Sequence, residues 1–194
     1  MQLHYLKRVD YRNKHTAEII ALLQQRFGDF YLLPEGGSNS LAVKGVSELV
    51  AELPDELDVL ACACGTGATL AGLVYGLAGR KQALGVAVLK GAGFLERDIR
   101  QLLQQVVQPP PQNWQLLLDY HCGGYARSTP ELLAFIHDFE RRHQLPLEPV
   151  YTGKLMWALM SMVEQGWFPK GTTVVALHSG GLQGRVNVHS GTKY

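Results

Sequence analysis

The six residues Cys64-Gly65-Thr66-Gly67-Ala68-Thr69 are the part of this sequence best suited to holding an anion. Glycines let successive backbone N–H groups crowd toward one point, and the threonine hydroxyls add donors. The helix expected from Ala68 onward contributes the positive end of its dipole. A phosphate-sized anion fits such a loop. The competing reading is an ordinary strand-to-helix turn that binds nothing. The two threonines, with an apolar strand before them and a helix after, favour the phosphate site.

Three further polar loops carry groups able to do chemistry: Gly124-Tyr125, Tyr151-Thr152 and His178-Ser-Gly-Gly181. His178 beside Ser179 lacks a Gly-x-Ser-x-Gly elbow, which argues against a hydrolase. Cys62, Cys64 and Cys122 do not have the usual zinc spacing, so buried thiols are expected there and no metal. Met156, Met160 and Met162, with Trp114 and Tyr120, are expected to pack.

The elements that must position these loops alternate in type. Val59 to Cys64 is a continuous apolar run, as a parallel strand covered on both faces requires, and Ala83 to Leu89 is a second. Trp114 to Leu118 and Thr172 to Leu177 read as further strands, as do Leu3 to Leu6 and Phe30 to Leu33. Helical spacing is expected over Tyr11 to Phe27, Leu41 to Leu53, Ala68 onward, Phe94 to Val107, and Tyr151 to about Gln165. Another helix spans Pro130 to His143, with Ser128 or Thr129 as cap and proline in its first turn. The order predicts an α/β fold, a mostly parallel sheet with helices on both faces and ligands gathered beyond the strands' C-terminal ends.

With 194 residues and 46% hydrophobic content, the chain is long enough for a substantial core. Eighteen basic against seventeen acidic residues, a formal charge of +1, point to neither nucleic acid nor an anionic membrane as partner. No apolar run reaches the roughly 20 residues of a membrane span. An odd number of cysteines, with two separated by one residue, suits reduced thiols and a cytoplasmic location.

Four blocks occur here in a recognisable order: the glycine-threonine loop, Gly-Gly-Tyr-Ala ahead of Thr-Pro-Glu, Glu-Pro-Val-Tyr-Thr-Gly-Lys, and His-Ser-Gly-Gly-Leu. Together with Pro34-Glu-Gly-Gly-Ser-Asn39, they resemble the pyridoxal-phosphate enzymes comprising 1-aminocyclopropane-1-carboxylate deaminase and D-cysteine desulfhydrase. That resemblance covers nearly the whole chain. It implies the tryptophan synthase β-like fold (fold type II), pyridoxal 5'-phosphate as cofactor, a small amino-acid substrate and a homodimer. By the same resemblance Cys64, Gly65, Thr66, Gly67, Ala68 and Thr69 hold the cofactor phosphate. Tyr125 and Tyr151 are the active-site tyrosines, and Thr152 lies beside the pyridine ring where the deaminase has a glutamate. Ser179 falls where desulfhydrase-like members place a hydroxyl near the pyridine nitrogen. A hydroxyl in place of a carboxylate would leave that nitrogen unprotonated and weaken the electron sink, which favours a desulfhydrase-like or unassigned member.

The family's Schiff-base lysine sits in an Asn-Lys motif ahead of the portion this chain resembles, and its substrate-carboxylate loop lies there too. Asn13-Lys14 has neighbours of a later part of the family pattern, and Lys154 belongs to the Tyr-Thr-Gly-Lys block, so neither takes that role. The expectation is an N-terminally truncated member, residues 1–194 forming the C-terminal portion, that is not robustly active alone. Two alternatives stay open. One is a nicotinamide dinucleotide module built on Gly65-x-Gly67-x-x-x-Ala71-Gly72. The other is a non-catalytic module binding phosphate compounds or a partner chain.

Overall fold

A computed structural model describes residues 2–182 and 185, and the chain divides into two compact units, Met1–Leu33 and Pro34–Tyr194. The first holds helices α1 (Arg8–Arg12) and α2 (Ala17–Phe27). The single helix expected from Tyr11 is thus two. Thr16 is extended and donates its N–H to Asn13 O at 2.9 Å, so the chain turns before α2 begins. Leu3–Leu6 and Phe30–Leu33, expected as strands, join no ladder among the described residues. Their residue types suit a strand, but a strand also needs a neighbour.

The second unit opens with a 3-10 turn, Glu35–Gly37, and α3 (Ser40–Glu48). Asn39 caps α3, its Oδ1 accepting from Ala42 N at 2.8 Å. The helix then tightens into 3-10 geometry over Leu49–Glu52 ahead of Pro54, short of the Leu53 end expected from spacing. There follow β1 (Val59–Cys64), α4 (Ala68–Leu77), β2 (Gln82–Ala87), α5 (Phe94–Gln104), β3 (Trp114–Leu117), α6 (Pro130–His143), α7 (Thr152–Glu164) and β4 (Val174–Ala176). The strands form one parallel sheet in the order β3-β2-β1-β4. From β1 the chain steps outward through β2 to β3, then returns to the far side of β1. The direction reverses between β1 and β4, and in open α/β sheets ligands bind at the carboxyl ends beside such a reversal.

The expected helix layers on both faces are present. Leu60, Cys62 and Cys64 point to one face with Leu70, Leu73, Val74, Ile99 and Leu103 of α4 and α5; Val59, Ala61, Leu84 and Val86 point to the other with Leu155, Ala158, Leu159 and Met162 of α7. Both faces are dry, which is why β1 and β2 read as unbroken apolar runs. Helix α4 sits very close to α3 through Gly72 and Gly76. A Cβ at Gly76 would lie 2.7 Å from Ser47 O, and one at Gly72 would lie 2.5 Å from Val46 Cβ. Trp114 and Tyr120 pack against these cores and Met162 is buried, whereas Met160 is 37% exposed. Cys62 and Cys64 lie on the same side of β1 with Sγ atoms 4.0 Å apart, as buried thiols.

Candidate cofactor site

Strand β1 ends at the buried Cys64, and Gly65-Thr66-Gly67 turns the chain into α4. Gly67 takes a positive φ of 84°, which glycine adopts at no steric cost, and it packs so tightly on Ile99 that a Cβ would sit 2.6 Å from Ile99 Cγ1. Among the described residues no side chain caps α4, which leaves the N–H groups of its first turn, around Ala68 and Thr69, facing a possible ligand. Thr66 is held from the other side: Ser38 Oγ donates to Thr66 Oγ1 at 2.6 Å, and a Cβ at Gly36 would meet that oxygen at 2.6 Å. The predicted loop is therefore a cradle of small residues, free donors and a fixed hydroxyl, and it fits a phosphate group.

Tyr151 closes over it. A Cβ on Gly65 would lie 3.2 Å from Tyr151 Cε1 and 3.5 Å from its hydroxyl, so the phenol rests against the glycine backbone. Tyr125, arriving from the loop after β3, meets Tyr151 edge to face with ring centroids 6.0 Å apart. The Tyr151 hydroxyl donates to the Tyr125 hydroxyl at 3.4 Å. Burial raises the Tyr151 pKa well above the ordinary phenol value of 10.0, helped by the Tyr125 hydroxyl and by the charge of Glu148. The phenol therefore stays protonated at neutral pH and can donate a hydrogen bond. Tyr125 is 55% exposed, at the mouth of the arrangement.

Thr152 stands next to Tyr151 but faces inward. It is 1% exposed, its Oγ1 accepts from Glu148 N at 3.0 Å, and it donates toward Glu148 Oε1 at 3.4 Å. Ser179 lies on the loop after β4 and is exposed, so its hydroxyl is open to a ligand. That loop is braced by His178, whose Nδ1 accepts from Gly180 N at 3.2 Å, which leaves Nε2–H to donate to Pro146 O at 2.9 Å. The sheet thus brings the glycine loop, Tyr151 and Tyr125 into one cluster. Thr152 supports that cluster from behind, and Ser179 stands on the neighbouring strand end.

Two residues of the Glu-Pro-Val-Tyr-Thr-Gly-Lys block, to which the sequence reading gave no role in the site, stand at the centre of this region. Glu148, 1% exposed, accepts from Val150 N at 2.7 Å and from Tyr151 N and Thr152 N, both at 2.6 Å. It thus takes the first N–H of α7, at Thr152, while its backbone carbonyl accepts from Gly153 N at 2.8 Å. A carboxylate just ahead of an expected helix start was the available signal. Lys154 is fully buried, with Nζ donating to Gly124 O at 2.7 Å and Val88 O at 3.4 Å. Nothing in its local spacing separates it from a surface lysine.

Comparison with known proteins agrees with this geometry. A Pyrococcus horikoshii protein named for 1-aminocyclopropane-1-carboxylate deaminase is 28% identical over 194 residues, which is 93% of this chain and 57% of its own length. The Arabidopsis thaliana bifunctional D-cysteine desulfhydrase/1-aminocyclopropane-1-carboxylate deaminase is 31% identical, over 79% of this chain and 42% of its own. The chain thus spans about half the length of the curated relatives it matches. The crystal structure of a homologue of 1-aminocyclopropane-1-carboxylate deaminase superposes with a TM-score of 0.70 at 26% identity, covering 94% of this chain and 59% of that one. The processed form of threonine deaminase isoform 2 from Solanum lycopersicum shares the fold, at TM-score 0.58 and 16% identity over 96% of this chain and 54% of its own. The neighbours share the tryptophan synthase β-like architecture. Residues 6–180 match the family model described as pyridoxal-phosphate dependent enzyme, which favours pyridoxal phosphate over a dinucleotide, and the chain belongs to that family.

Proposed function

We propose that this chain binds pyridoxal 5'-phosphate and forms part of a deaminase or desulfhydrase-like lyase acting on a small amino acid, of the 1-aminocyclopropane-1-carboxylate or D-cysteine class. The observation that carries this reading is the contact of Tyr151 with both the glycine loop at Gly65 and the Tyr125 hydroxyl. It sets a proton-bearing group and a phosphate cradle at one strand end. When bound, the cofactor supplies an electron sink for bond breaking at the amino-acid Cα. The residues of the chain do the rest. Backbone N–H groups from Gly65 to Thr69 and the Thr66 and Thr69 hydroxyls hold the phosphate. Tyr151, placed between the glycine loop and the Tyr125 hydroxyl, is the group positioned to exchange a proton with a substrate atom. Tyr125, exposed on its glycine-rich loop, closes over the substrate and contacts its carboxylate. Ser179 would offer a neutral hydroxyl to the pyridine nitrogen, and Thr152, bonded to Glu148, would hold Tyr151 in place from behind.

No lysine among the described residues is assigned to the covalent link with the cofactor. Lys154 is buried with Nζ engaged by two carbonyls, and Lys14 lies over the Tyr11 ring. Turnover in this reading draws that lysine from outside residues 2–182, and the working enzyme is a homodimer in a cytoplasmic setting.

The test is equilibrium dialysis with pyridoxal phosphate and with inorganic phosphate, comparing wild type with Gly67→Val. A Cβ at Gly67 must adopt a positive φ and meets Ile99, so the variant deforms the cradle. Saturable binding by the wild type, lost in the variant, is the expected result. Unmeasurable binding by both proteins defeats the proposal. Borohydride reduction with peptide mapping should leave Lys14 and Lys154 without a stoichiometric pyridoxyl adduct.

A further inference from the structure

We propose that Lys154 is a positioning residue, a clasp whose Nζ holds the loops that end β2 and β3 and so fixes Tyr125 opposite Tyr151. The inference rests on the reading of Tyr125 and Tyr151 as groups of the cofactor site, but its geometry stands without a cofactor.

Lys154 lies on α7 three residues after Tyr151, one turn further on the same side of the helix. Its Nζ donates to Gly124 O at 2.7 Å and to Val88 O at 3.4 Å. Gly124 immediately precedes Tyr125, and Val88 directly follows β2. One side chain therefore spans three elements and ties the backbone beside one tyrosine to the helix that carries the other. The Gly124 backbone is tightly seated in its own right. Its φ is +125°, and a Cβ there would lie 3.4 Å from Lys90 Cβ, so the loop after β3 is pressed onto the loop after β2. Gly124 N donates to His121 O, and Gly123 N to His121 Nδ1, both at 3.0 Å. These bonds shape the loop locally, whereas the bond from Lys154 Nζ to Gly124 O ties its backbone to α7.

A fully buried ammonium is costly, and a methionine-sized apolar group would fill the same volume without that cost. Burial lowers the Lys154 pKa, while Cys122 and Glu148 act to raise it. What the lysine offers over an apolar residue is a donor able to bridge two carbonyls from different loops, which is the geometry observed.

The experiment is hydrogen–deuterium exchange with peptide-level mass spectrometry on the full chain without cofactor, comparing wild type, Lys154→Met and Lys154→Arg. Circular dichroism establishes that each variant is folded. The clasp predicts that exchange in the segment 121–127 accelerates about 10- to 100-fold in the Met variant, the loss expected for a charge-assisted bond, while β1 and α4 keep their protection. Arginine, which retains charged N–H donors, should recover part of that protection. A 3-fluorotyrosine placed at position 125 should show a resolved fluorine shift in wild type that moves toward the solvent-exposed value in the Met variant. Unchanged exchange in 121–127, or acceleration spread evenly over the chain, overturns the proposal. If the Met variant does not fold, the wild type decides: a scalar correlation between Lys154 Nζ and the Gly124 carbonyl carbon supports the clasp, and its absence overturns it. Dialysis reports separately on the cofactor reading, so loss of one conclusion leaves the other intact.

Discussion

Replacing Glu148 with alanine removes the acceptor shared by the N–H groups of Val150, Tyr151 and Thr152. The Thr152 donor is buried and has no route to water, so its loss carries the penalty of an unsatisfied buried group, about 1–3 kcal/mol. The other two donors are part-buried and recover some hydration, so about 1 kcal/mol each is appropriate. Against this, the mutation removes a buried carboxylate and its desolvation cost. The balance is a loss of about 2–4 kcal/mol. For a chain of this size that lowers Tm by about 5–15 °C. Thermal and urea denaturation measure it directly. Glu148→Gln should fall between wild type and alanine, because one amide oxygen still accepts while the NH2 group faces a donor. Within the same experiment, Tyr151 loses its backbone anchor, so pyridoxal phosphate binding should weaken in step with stability. An alanine variant within 2 °C of wild type would refute the assignment of Glu148 as the cap that organises this corner.

Gly76→Ala should destabilise by about 1–2 kcal/mol, because the new methyl group meets Ser47 O, a backbone atom that cannot rotate away. Gly45→Ala, where nothing lies within 4 Å, should stabilise α3 by about 0.5–1 kcal/mol; urea titration of the pair checks both signs. Cys62, through its bond to Cys64 and its burial, and Cys122 and Tyr151, mainly through burial, all have raised pKa values. The unfolded chain gives up these protons first, so Tm should hold below the ordinary thiol value of 9.0 and fall as pH rises beyond it. Lys154, with a lowered pKa, works in the opposite sense up to its ordinary 10.5, so Cys62→Ala should flatten the fall and Lys154→Met should steepen it. In an active assembly, Tyr151→Phe should cut kcat by about 10²–10⁴-fold, while Tyr125→Phe should act mainly on KM; steady-state kinetics on small amino acids that left kcat of Tyr151→Phe unchanged would return both tyrosines to packing roles.

Much of the second unit was legible because its signals are local. Val59–Cys64 is apolar at every position since both faces of β1 are covered, and Thr129-Pro130 marks the start of α6 through a cap whose Oγ1 accepts from Leu132 N. The glycine turn from β1 into α4 was legible for the same reason, lying between two elements of different period. The break between α1 and α2 was hidden because Asn13-Lys14-His15-Thr16 contains no glycine or proline to announce it. Leu3–Leu6 and Phe30–Leu33 misled because ladder formation depends on a partner that composition does not specify. Thr172 and Thr173 fall outside β4: Thr173 O accepts from Val59 N at 3.2 Å, but Thr173 N turns to Asp58 Oδ2 instead of a strand carbonyl. Lys154 was illegible for a different reason: its partners are backbone carbonyls 30 and 66 residues away, which no spacing rule reaches.

The seating of β4 beside β1 bears on how the chain folds. Asp58 at the start of β1 accepts from Thr173, a partner 115 residues later, and β4 itself is only three residues long. Closing a span of that length is entropically costly, and little local ladder exists to reward it until the rest of the sheet is in place. The strands β1, β2 and β3, joined by nearer crossovers, form a surface on which β4 can dock. The glycine cradle needs only β1, α4 and their near neighbours, whereas the Ser179 loop joins it once β4 has docked. During synthesis, the chain must have emerged past β4 before the two sides of the crevice face each other.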